Sequence, residues 1–375
     1  MESVGLTGLE SIVYVVHDLE RSHHFYVDKL DFAVVGRSSA ALEAQTGQRA
    51  VIFQAGECTV VCVKPLRTDS WAGRWLTKHP DGVAELRFGI RDAAAALALL
   101  ESRGATPIED VVDEGGIKHF SITTPFQIPW RFVERGPDSG LLYPGFDLAD
   151  VEGPHNRIGF GQFDHLTSNF QTLSPALLWM EHVMGFERYW GIEFHTIDID
   201  PSRTTGSGLK SVVMWDPASG VKFANNEPKR PFFDDSQINL FIEDLRANGV
   251  QHAAMTVGDI LPAVTQLRER GIEFMPTPAA YYDMLPQRIQ DSGILRIDED
   301  IADLRRLEVL IDGQEEHSYL LQIFMQESAG LYGEAAAGPF FYEVIQRKGD
   351  RGFGGGNFRA LFESIERQQR SEGRV

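Results

Sequence analysis

Two histidines and one glutamate in the second half of the chain could together bind a metal ion. They are His165 in FDHLTSN, His252 in NGVQHAAM and Glu343 in FFYEVI, and each segment has the apolar character of a buried strand. A buried carboxylate without a partner is unfavourable, so Glu343 is expected to be paired, protonated or bound to a metal. Two neutral imidazoles and one carboxylate form the ligand set of non-haem Fe(II) oxygenases, which leaves neighbouring positions on the metal open for a chelating substrate and O₂.

Each of these residues also allows a simpler interpretation. A lone histidine in an apolar strand is more often a satisfied core or surface residue than a ligand, and Glu343 alone would favour a salt bridge with an arginine. The three positions are too far apart in the sequence to form a local motif. A metal site at these residues therefore requires that three separate strands converge.

The chain contains two copies of one architecture, in approximately residues 1–150 and 151–375. In each copy a strand is followed by a turn ending in aspartate and by an amphipathic helix ending in Arg-Gly. The aspartates, Asp92 and Asp259, are predicted to cap the helices, and the glycines, Gly104 and Gly271, to follow them. The matching segments are 81–108 with 248–275, 8–36 with 161–190, and 130–136 with 342–349. A segment rich in Gly, Pro and Asp, residues 136–159, is predicted to link the copies.

Alignment of the two copies supports the metal site. It pairs Ser11 with His165, Glu85 with His252, and Arg131 with Glu343. The second copy thus has His, His and Glu where the first has Ser, Glu and Arg, a set that could not form the same site. The coincidence at equivalent strand positions strongly favours a metal ion bound by the second copy, and its ligand set is that of non-haem Fe(II) enzymes.

Composition limits the class of function. The 375 residues carry a formal net charge of −19, so the chain is a poor candidate for binding the phosphate backbone of nucleic acids or an anionic membrane surface. No basic segment followed by an apolar one marks a signal peptide at the N-terminus, and no apolar run is long enough to span a membrane. A cytoplasmic enzyme or binding protein is expected.

Four segments resemble the signature segments of the 4-hydroxyphenylpyruvate dioxygenase family, which belongs to the vicinal oxygen chelate superfamily. They are FDHLTSN, NGVQHAAM, SYLLQIF and FFYEVIQRKGDRGFGGGNFRALFESIERQQ. The resemblance is specific across about 161–370 and mostly architectural across 1–150. It implies an α+β fold of two vicinal oxygen chelate barrels, each built from repeated βαβββ modules. Domain 1–150 would be structural and oligomer-forming, without metal, and domain 151–375 would be catalytic, with a closing C-terminal helix.

The resemblance also implies an activity. Enzymes of this family convert 4-hydroxyphenylpyruvate and O₂ to homogentisate and CO₂ in the catabolism of tyrosine and phenylalanine. The reaction combines oxidative decarboxylation, ring hydroxylation and side-chain migration, and uses Fe(II) without an organic cofactor. His165, His252 and Glu343 fall on the iron ligands of the family, so the resemblance implies one Fe(II) per subunit, held only by the second barrel. Its members are usually dimers or tetramers, so a homodimer or homotetramer is expected.

The family's pocket residues can be carried over to positions of this chain. The implied substrate-binding residues are Ser211, Asn226, Gln237, Gln251, Gln322, Phe324, Phe353 and Phe358. Phe362 would lie on the C-terminal helix as part of a pocket lid. Two positions depart from the family pattern: Lys210 stands where Asn is frequent, and Ala224 where Pro is frequent. These departures bear on the details of substrate binding.

Three alternatives remain open at this point. A 4-hydroxymandelate synthase would use the same substrate, triad and fold but hydroxylate the benzylic carbon, although Asn226 and Phe362 favour the dioxygenase. A non-catalytic binding protein on the same scaffold would lack iron. The ligand set alone would also allow a Zn²⁺ or Mn²⁺ lyase or an extradiol dioxygenase.

Overall fold

The computed structural model describes residues 2–136, 139, 143–148, 156–198, 202, 206–315, 318–355 and 357. The strands of the first half are β1 (Leu6–Val15), β2 (Ala33–Ser38), β3 (Gln48–Ala55), β4 (Cys58–Pro65), β5 (Gly82–Ile90), β6 (Pro107–Glu114), β7 (Ile117–Ile122), β8 (Trp130–Arg135) and β9 (Phe146–Leu148). Those of the second half are β10 (Phe160–Asn169), β11 (Glu187–His195), β12 (Gly208–Trp215), β13 (Lys222–Pro228), β14 (Gly249–Val257), β15 (Leu310–Glu315), β16 (Ser318–Phe324) and β17 (Phe341–Lys348).

Helices connect these strands. The α-helices of the first half are α1 (Leu19–His23), α2 (Ala40–Thr46), α3 (Trp71–Leu76) and α4 (Ala93–Ser102). Those of the second half are α5 (Ser174–Trp179), α6 (Gln237–Leu245), α7 (Ile260–Glu269), α8 (Ala279–Asp291), α9 (Ile301–Leu307) and α10 (Ser328–Tyr332). Single π-helical turns, His24–Lys29 and Met180–Met184, extend α1 and α5, and short 3₁₀ turns cover Thr196–Asp198 and Ala335–Ala337.

The two halves have the same sheet topology. The first sheet has the strand order β6-β7-β8-β5-β1-β4-β3-β2-β9, and the second has the order β15-β16-β17-β14-β10-β13-β12-β11. Eight strands of one sheet therefore correspond, position by position, to eight strands of the other, and β9 is an additional edge strand of the first. The predicted α+β fold with repeated βαβββ modules is confirmed.

Successive side chains of each strand point to opposite faces of the sheet. One face packs in the apolar core, and the other forms the interior face of the curved sheet. On β17, Tyr342 and Val344 lie in the main core, whereas Glu343 between them points to the opposite face. The core is shared by the two halves: the ring of Trp130 stacks on that of Phe223 at 5.1 Å. The halves are thus held together by buried aromatic side chains, and the face that carries Glu343 remains for other contacts.

Local sequence signals explain the helices that follow the central strands. Asp92 caps α4 by accepting a hydrogen bond from the backbone of Ala95 at 2.9 Å. Asp259 occupies the same position before α7, but its side chain makes no capping hydrogen bond within the described part of the chain. Gly104 and Gly271 follow these helices with φ of +90° and +78°, as predicted.

Two predictions are not tested by the described residues. The domain boundary at 150/151 falls in residues 149–155, which lie outside them, and stays a prediction. The same applies to the closing C-terminal helix, because residues 358–375 also lie outside them. Of the helices that the structure describes, none combines the length and apolar character needed to cross a membrane.

Candidate metal centre

Strand register brings the three predicted ligands together. His165 of β10 lies directly opposite Ala254 of β14, and Ala254 lies opposite Glu343 of β17. His252 is two residues before Ala254 on the central strand and therefore faces the same side of the sheet. The three adjacent strands thus present their side chains as a triangle on the interior face. The repeat has the same register, because Ser11 pairs with Arg87, and Arg87 with Arg131.

The ligand atoms of the triad are close and buried. Nε2 of His165 lies 3.3 Å from Oε2 of Glu343, and Nε2 of His252 lies 3.4 Å from the same oxygen. One potential ligand atom of each residue lies within 4.8 Å of the others. The relative exposures of His165, His252 and Glu343 are 7%, 4% and 1%. Such a cluster of donors has the spacing that a single metal ion requires.

Each imidazole is held from behind by a different type of acceptor. Nδ1 of His165 lies 2.8 Å from Oδ1 of Asp164, and Nδ1 of His252 lies 3.1 Å from Oε1 of Gln251. A proton on each Nδ1 satisfies these bonds and leaves both Nε2 atoms free to coordinate. The carboxylate behind His165 is itself held by Arg347, whose Nε lies 2.6 Å from Oδ2 of Asp164.

Burial and charge act in opposite directions on the triad. For Glu343, burial raises the pKa, but the charges and hydrogen bonds of the two histidines bring it below its ordinary value. For His165, burial lowers the pKa, but Glu343 and Asp164 together raise it above its ordinary value. Burial dominates for His252 and lowers its pKa. The site therefore favours an ionised Glu343 and a neutral His252.

The donor set fits a divalent metal ion. Oε1 of Glu343 is buried and has no hydrogen-bond partner among the described residues. A buried carboxylate oxygen without a donor is unfavourable unless a cation satisfies it. Two imidazole nitrogens and one carboxylate oxygen on one face are the donors expected around non-haem Fe(II).

A second group of polar side chains lies further along the same interior face. Ser211 pairs with Asn226 across β12 and β13, and Asn226 pairs with Asn169 across β13 and β10. Nδ2 of Asn226 donates to Oδ1 of Asn169 at 3.0 Å. Within the described part of the chain, three buried polar atoms here have no hydrogen-bond partner: Oγ of Ser211, Oδ1 of Asn226 and Nδ2 of Asn169. Oε1 of Gln237, the first residue of α6, is likewise buried without a partner among the described residues.

Aromatic side chains border the triad. The ring of Phe353 lies 5.0 Å from that of His165, and the ring of Phe324 lies 5.8 Å from that of His252. Phe324 pairs with Glu343 across β16 and β17, and Gln322 pairs with Ile345 on the same strands. Phe353 is 8% exposed, so it closes one side of the triad.

The other residues that the family resemblance singled out lie in different surroundings. Gln251 contacts His252 from behind, as described above. Of the two departures from the family pattern, Lys210 has a part-exposed side chain whose Nζ lies 3.8 Å from Glu193, whereas Ala224 packs with Phe353. Ala224 therefore borders the site, and Lys210 does not. Phe358 and Phe362 lie outside the described residues.

The equivalent positions of the first copy form an ion-pair network. Oε1 and Oε2 of Glu85 lie 2.6 Å from Nε of Arg87 and 3.3 Å from Nε of Arg131. Oγ of Ser11 lies 2.8 Å from the hydroxyl of Tyr143. Two guanidinium groups thus occupy the region where the second copy gathers its imidazoles. The scaffold is retained while the chemistry of its interior differs.

Sequence reasoning missed Asp164, Arg347 and Asn169. Asp164 and Arg347 were detectable in the repeat alignment, which places them opposite Glu10 and Arg135. Glu10 and Arg135 also pair, with 3.1 Å between Oε1 and Nε. No comparable signal marks Asn169, because its role depends on contact with Asn226.

Each of the two copies contains a match to a family model. Residues 11–123 and residues 162–291 each match the Glyoxalase/Bleomycin resistance protein/Dioxygenase superfamily. Among similar proteins, 4-hydroxyphenylpyruvate dioxygenase of Dictyostelium discoideum is 31% identical over 384 residues, which cover 99% of this chain and 100% of that protein. Hemolysin VllY of Vibrio vulnificus is 33% identical, covering 98% of this chain and 96% of that protein.

A solved structure is similar over the whole chain. It is a mutant of 4-hydroxymandelate synthase from Streptomyces coelicolor, with a TM-score of 0.79 and 26% sequence identity. The match covers 97% of this chain and 99% of that one. Because a relative at 31% identity is matched along its full length, and each half of the chain contains a match to the superfamily, the chain belongs to the 4-hydroxyphenylpyruvate dioxygenase family of vicinal oxygen chelate proteins.

Proposed function

We propose that this protein converts 4-hydroxyphenylpyruvate and O₂ to homogentisate and CO₂, with Fe(II) held by His165, His252 and Glu343. One observation carries the proposal: a buried anionic triad and a row of unpartnered polar atoms share one interior face. Asn169, which contacts Asn226, lies four residues beyond His165 on β10, about 13 Å along an extended strand. That length suits a molecule with a chelating 2-oxo acid at one end and a phenol at the other.

The polar end of the site would orient the phenol. Because Nδ2 of Asn226 donates to Asn169, Oδ1 of Asn226 remains as an acceptor for a phenolic O–H. Ser211 and Gln237 add a hydroxyl and an amide oxygen without adding charge. A neutral lining of this kind recognises a neutral phenol and holds its ring at a fixed distance from the triad.

The metal end would hold the 2-oxo acid. When bound, Fe(II) would act as a template and electron source for the reaction of O₂ with the chelated substrate. Glu343 supplies one negative charge and both histidines would bind the ion as neutral ligands, so the ion keeps a net positive charge that attracts a carboxylate. Phe324 and Phe353 border this region and exclude water from it.

Product analysis tests the proposal. The full chain, freed of metal and then given Fe(II), should take up O₂ only in the presence of 4-hydroxyphenylpyruvate and release homogentisate and CO₂ in equal amounts. Without added Fe(II), uptake should fall to background. Absence of O₂ uptake by the iron-loaded chain would contradict the proposal and favour a binding protein on the same scaffold.

A second candidate is 4-hydroxymandelate synthase, which the similar solved structure favours. It would form 4-hydroxymandelate from the same substrate, so the same assay distinguishes the two activities. We favour the dioxygenase because the relative from Dictyostelium discoideum carries that name and is matched over its full length.

The assembly and location of the protein remain predictions. We expect a homodimer or homotetramer with contacts through the first half of the chain, which light scattering of the full chain would test. The cytoplasmic location expected from the sequence would be tested by cell fractionation.

A further inference from the structure

We propose that Arg347 is a positioning residue of the metal centre, which fixes the imidazole of His165 through Asp164. The inference rests on the proposed function in one respect: the triad of the second copy binds a divalent metal ion. It adds a residue that is not a ligand and lies on the same strand as Glu343. One strand would therefore provide both the anionic ligand and the support for a histidine ligand on another strand.

Arg347 binds Asp164 through two hydrogen bonds. Nε of Arg347 donates to Oδ2 of Asp164 at 2.6 Å, and Nη2 donates to Oδ1 at 2.7 Å. This two-point contact fixes the plane of the carboxylate. The carboxylate is 5% exposed in its side chain, so water does not compete for it.

Asp164 in turn contacts the imidazole of His165. Oδ1 of Asp164, which accepts from Arg347, also lies 2.8 Å from Nδ1 of His165. The shared oxygen keeps the proton of the neutral imidazole on Nδ1 and presents Nε2 to the triad. A carboxylate held in this orientation therefore determines both the tautomer and the ring plane of His165.

The guanidinium of Arg347 is itself held by backbone carbonyls and an aromatic ring. Nη1 of Arg347 donates to the carbonyl oxygens of Asp350 at 3.1 Å and Gly352 at 2.7 Å. The guanidinium carbon also lies 5.7 Å from the ring centre of Phe353. Lysine could not make these contacts together, because its ammonium lacks the planar array of donors.

The first copy provides an internal comparison. Its equivalent pair, Glu10 and Arg135, also forms a contact, with 2.5 Å between Oε1 and Nη2. In that copy the next residue is Ser11, whose hydroxyl bonds to Tyr143 instead. The carboxylate–arginine pair thus occurs in the scaffold without a histidine, and its contact with a ligand imidazole is particular to the second copy.

The two histidines also differ in a way that makes Arg347 important. The acceptor behind His252 is the neutral amide of Gln251, whereas the acceptor behind His165 is a carboxylate. An ionised acceptor forms the stronger hydrogen bond and raises the basicity of the imidazole more. Disturbance of Arg347 should therefore change the environment of one metal ligand selectively.

Cobalt binding by the full chain tests the proposal, with Arg347→Lys compared against Arg135→Lys. Co(II) titration of the metal-free proteins, followed by visible absorption, gives affinity and coordination environment without any turnover. We expect Arg347→Lys to weaken Co(II) binding by about 10- to 100-fold and to shift the absorption bands. Arg135→Lys, which changes the equivalent pair in the first copy, should leave the affinity within about twofold of the wild type.

The outcomes separate the inference from the proposed function. Equal losses of Co(II) affinity in both variants, or an unchanged affinity and spectrum in folded Arg347→Lys, would overturn the positioning role. If Arg347→Lys does not fold, Asp164→Asn serves instead, and unchanged binding and spectrum there would overturn it equally. A wild-type chain that binds no Co(II) would overturn the metal centre, whereas a product other than homogentisate would affect only the proposed function.

Discussion

Asn226 donates a hydrogen bond to Asn169, and this bond determines which of its amide atoms is available to a ligand. The distance from Nδ2 of Asn226 to Oδ1 of Asn169 is 3.0 Å, and both residues are buried. The side-chain oxygen of Asn226, Oδ1, has no partner among the described residues. In the proposed function a phenolic O–H would donate to that oxygen, so Asn169 would act on the substrate through its neighbour.

Replacement of Asn169 tests this relationship. Asn169→Ala frees the amide of Asn226 to rotate, and we expect KM for 4-hydroxyphenylpyruvate to rise about 10-fold, the effect of one buried hydrogen bond. Asn169→Asp keeps the acceptor but buries a carboxylate without a cation, so we expect it to restore only part of the affinity. Steady-state kinetics of O₂ uptake would measure both.

The neighbouring Asn225 is a matched control. Its Nδ2 donates to the carbonyl oxygens of Val212 and Phe223, so its role lies in the scaffold. Asn225→Ala should lower the free energy of unfolding and leave KM unchanged. An equal rise of KM in both variants would contradict a specific role for Asn169.

The negative charge of Glu343 should determine how much a bound metal ion stabilises the folded protein. A ligand that binds only the folded state at 100 times its Kd raises the free energy of unfolding by about 2.7 kcal/mol. Glu343→Gln keeps the shape of the side chain but removes the anionic donor, so we expect that rise to disappear. Calorimetry with and without Co(II) would measure the Tm of each protein, and an undiminished metal-induced rise in the variant would contradict the role of Glu343 as a ligand.

The repeat made the fold and the triad predictable from the sequence. Strand positions are conserved between the copies while the residues differ, so comparison of Ser11 with His165 and of Arg131 with Glu343 identified the positions where chemistry replaces scaffold. The same comparison would have identified Asp164, which lies opposite Glu10.

Side-chain orientation was less predictable. The pairing of β10 with β14 shifts register next to His165 and again after Thr167, and such irregularities re-aim side chains near a site. Gln251 follows Val250 in an ordinary strand pattern, yet its amide turns to His252. The bond between Asn226 and Asn169 likewise depends on neighbouring strands, which a single sequence does not reveal.

The free energy of unfolding should depend on pH through Glu85 of the first copy. Burial raises the pKa of Glu85, but Arg87 and Arg131 together hold it below its ordinary value. As the pH falls, the unfolded chain therefore takes up a proton at this position before the folded protein does. The stabilisation is complete above the ordinary glutamate pKa of about 4.3 and decreases as the pH falls towards the lowered value.

Glu85→Gln tests this dependence. We expect a smaller slope of the free energy of unfolding between about pH 5 and pH 3, measured by urea denaturation. At neutral pH the variant should be about 3 kcal/mol less stable, because Arg87 and Arg131 lose their buried partner. Co(II) affinity should not change, since Glu85 belongs to the first copy. A slope equal to that of the wild type would contradict the assignment.

Gly338 lies three residues before the strand that carries Glu343 and packs against the backbone of Asp81 in the first half. Its φ is +79°, and an added Cβ would overlap the carbonyl oxygen of Asp81. Gly271 has a φ of +78° but no atom of the described residues within 4 Å of such a Cβ. Gly271→Ala therefore reports the backbone strain alone, about 1 kcal/mol, whereas Gly338→Ala should lower the free energy of unfolding by about 2 to 4 kcal/mol. Urea denaturation would measure both, and equal losses would contradict a steric requirement at the junction.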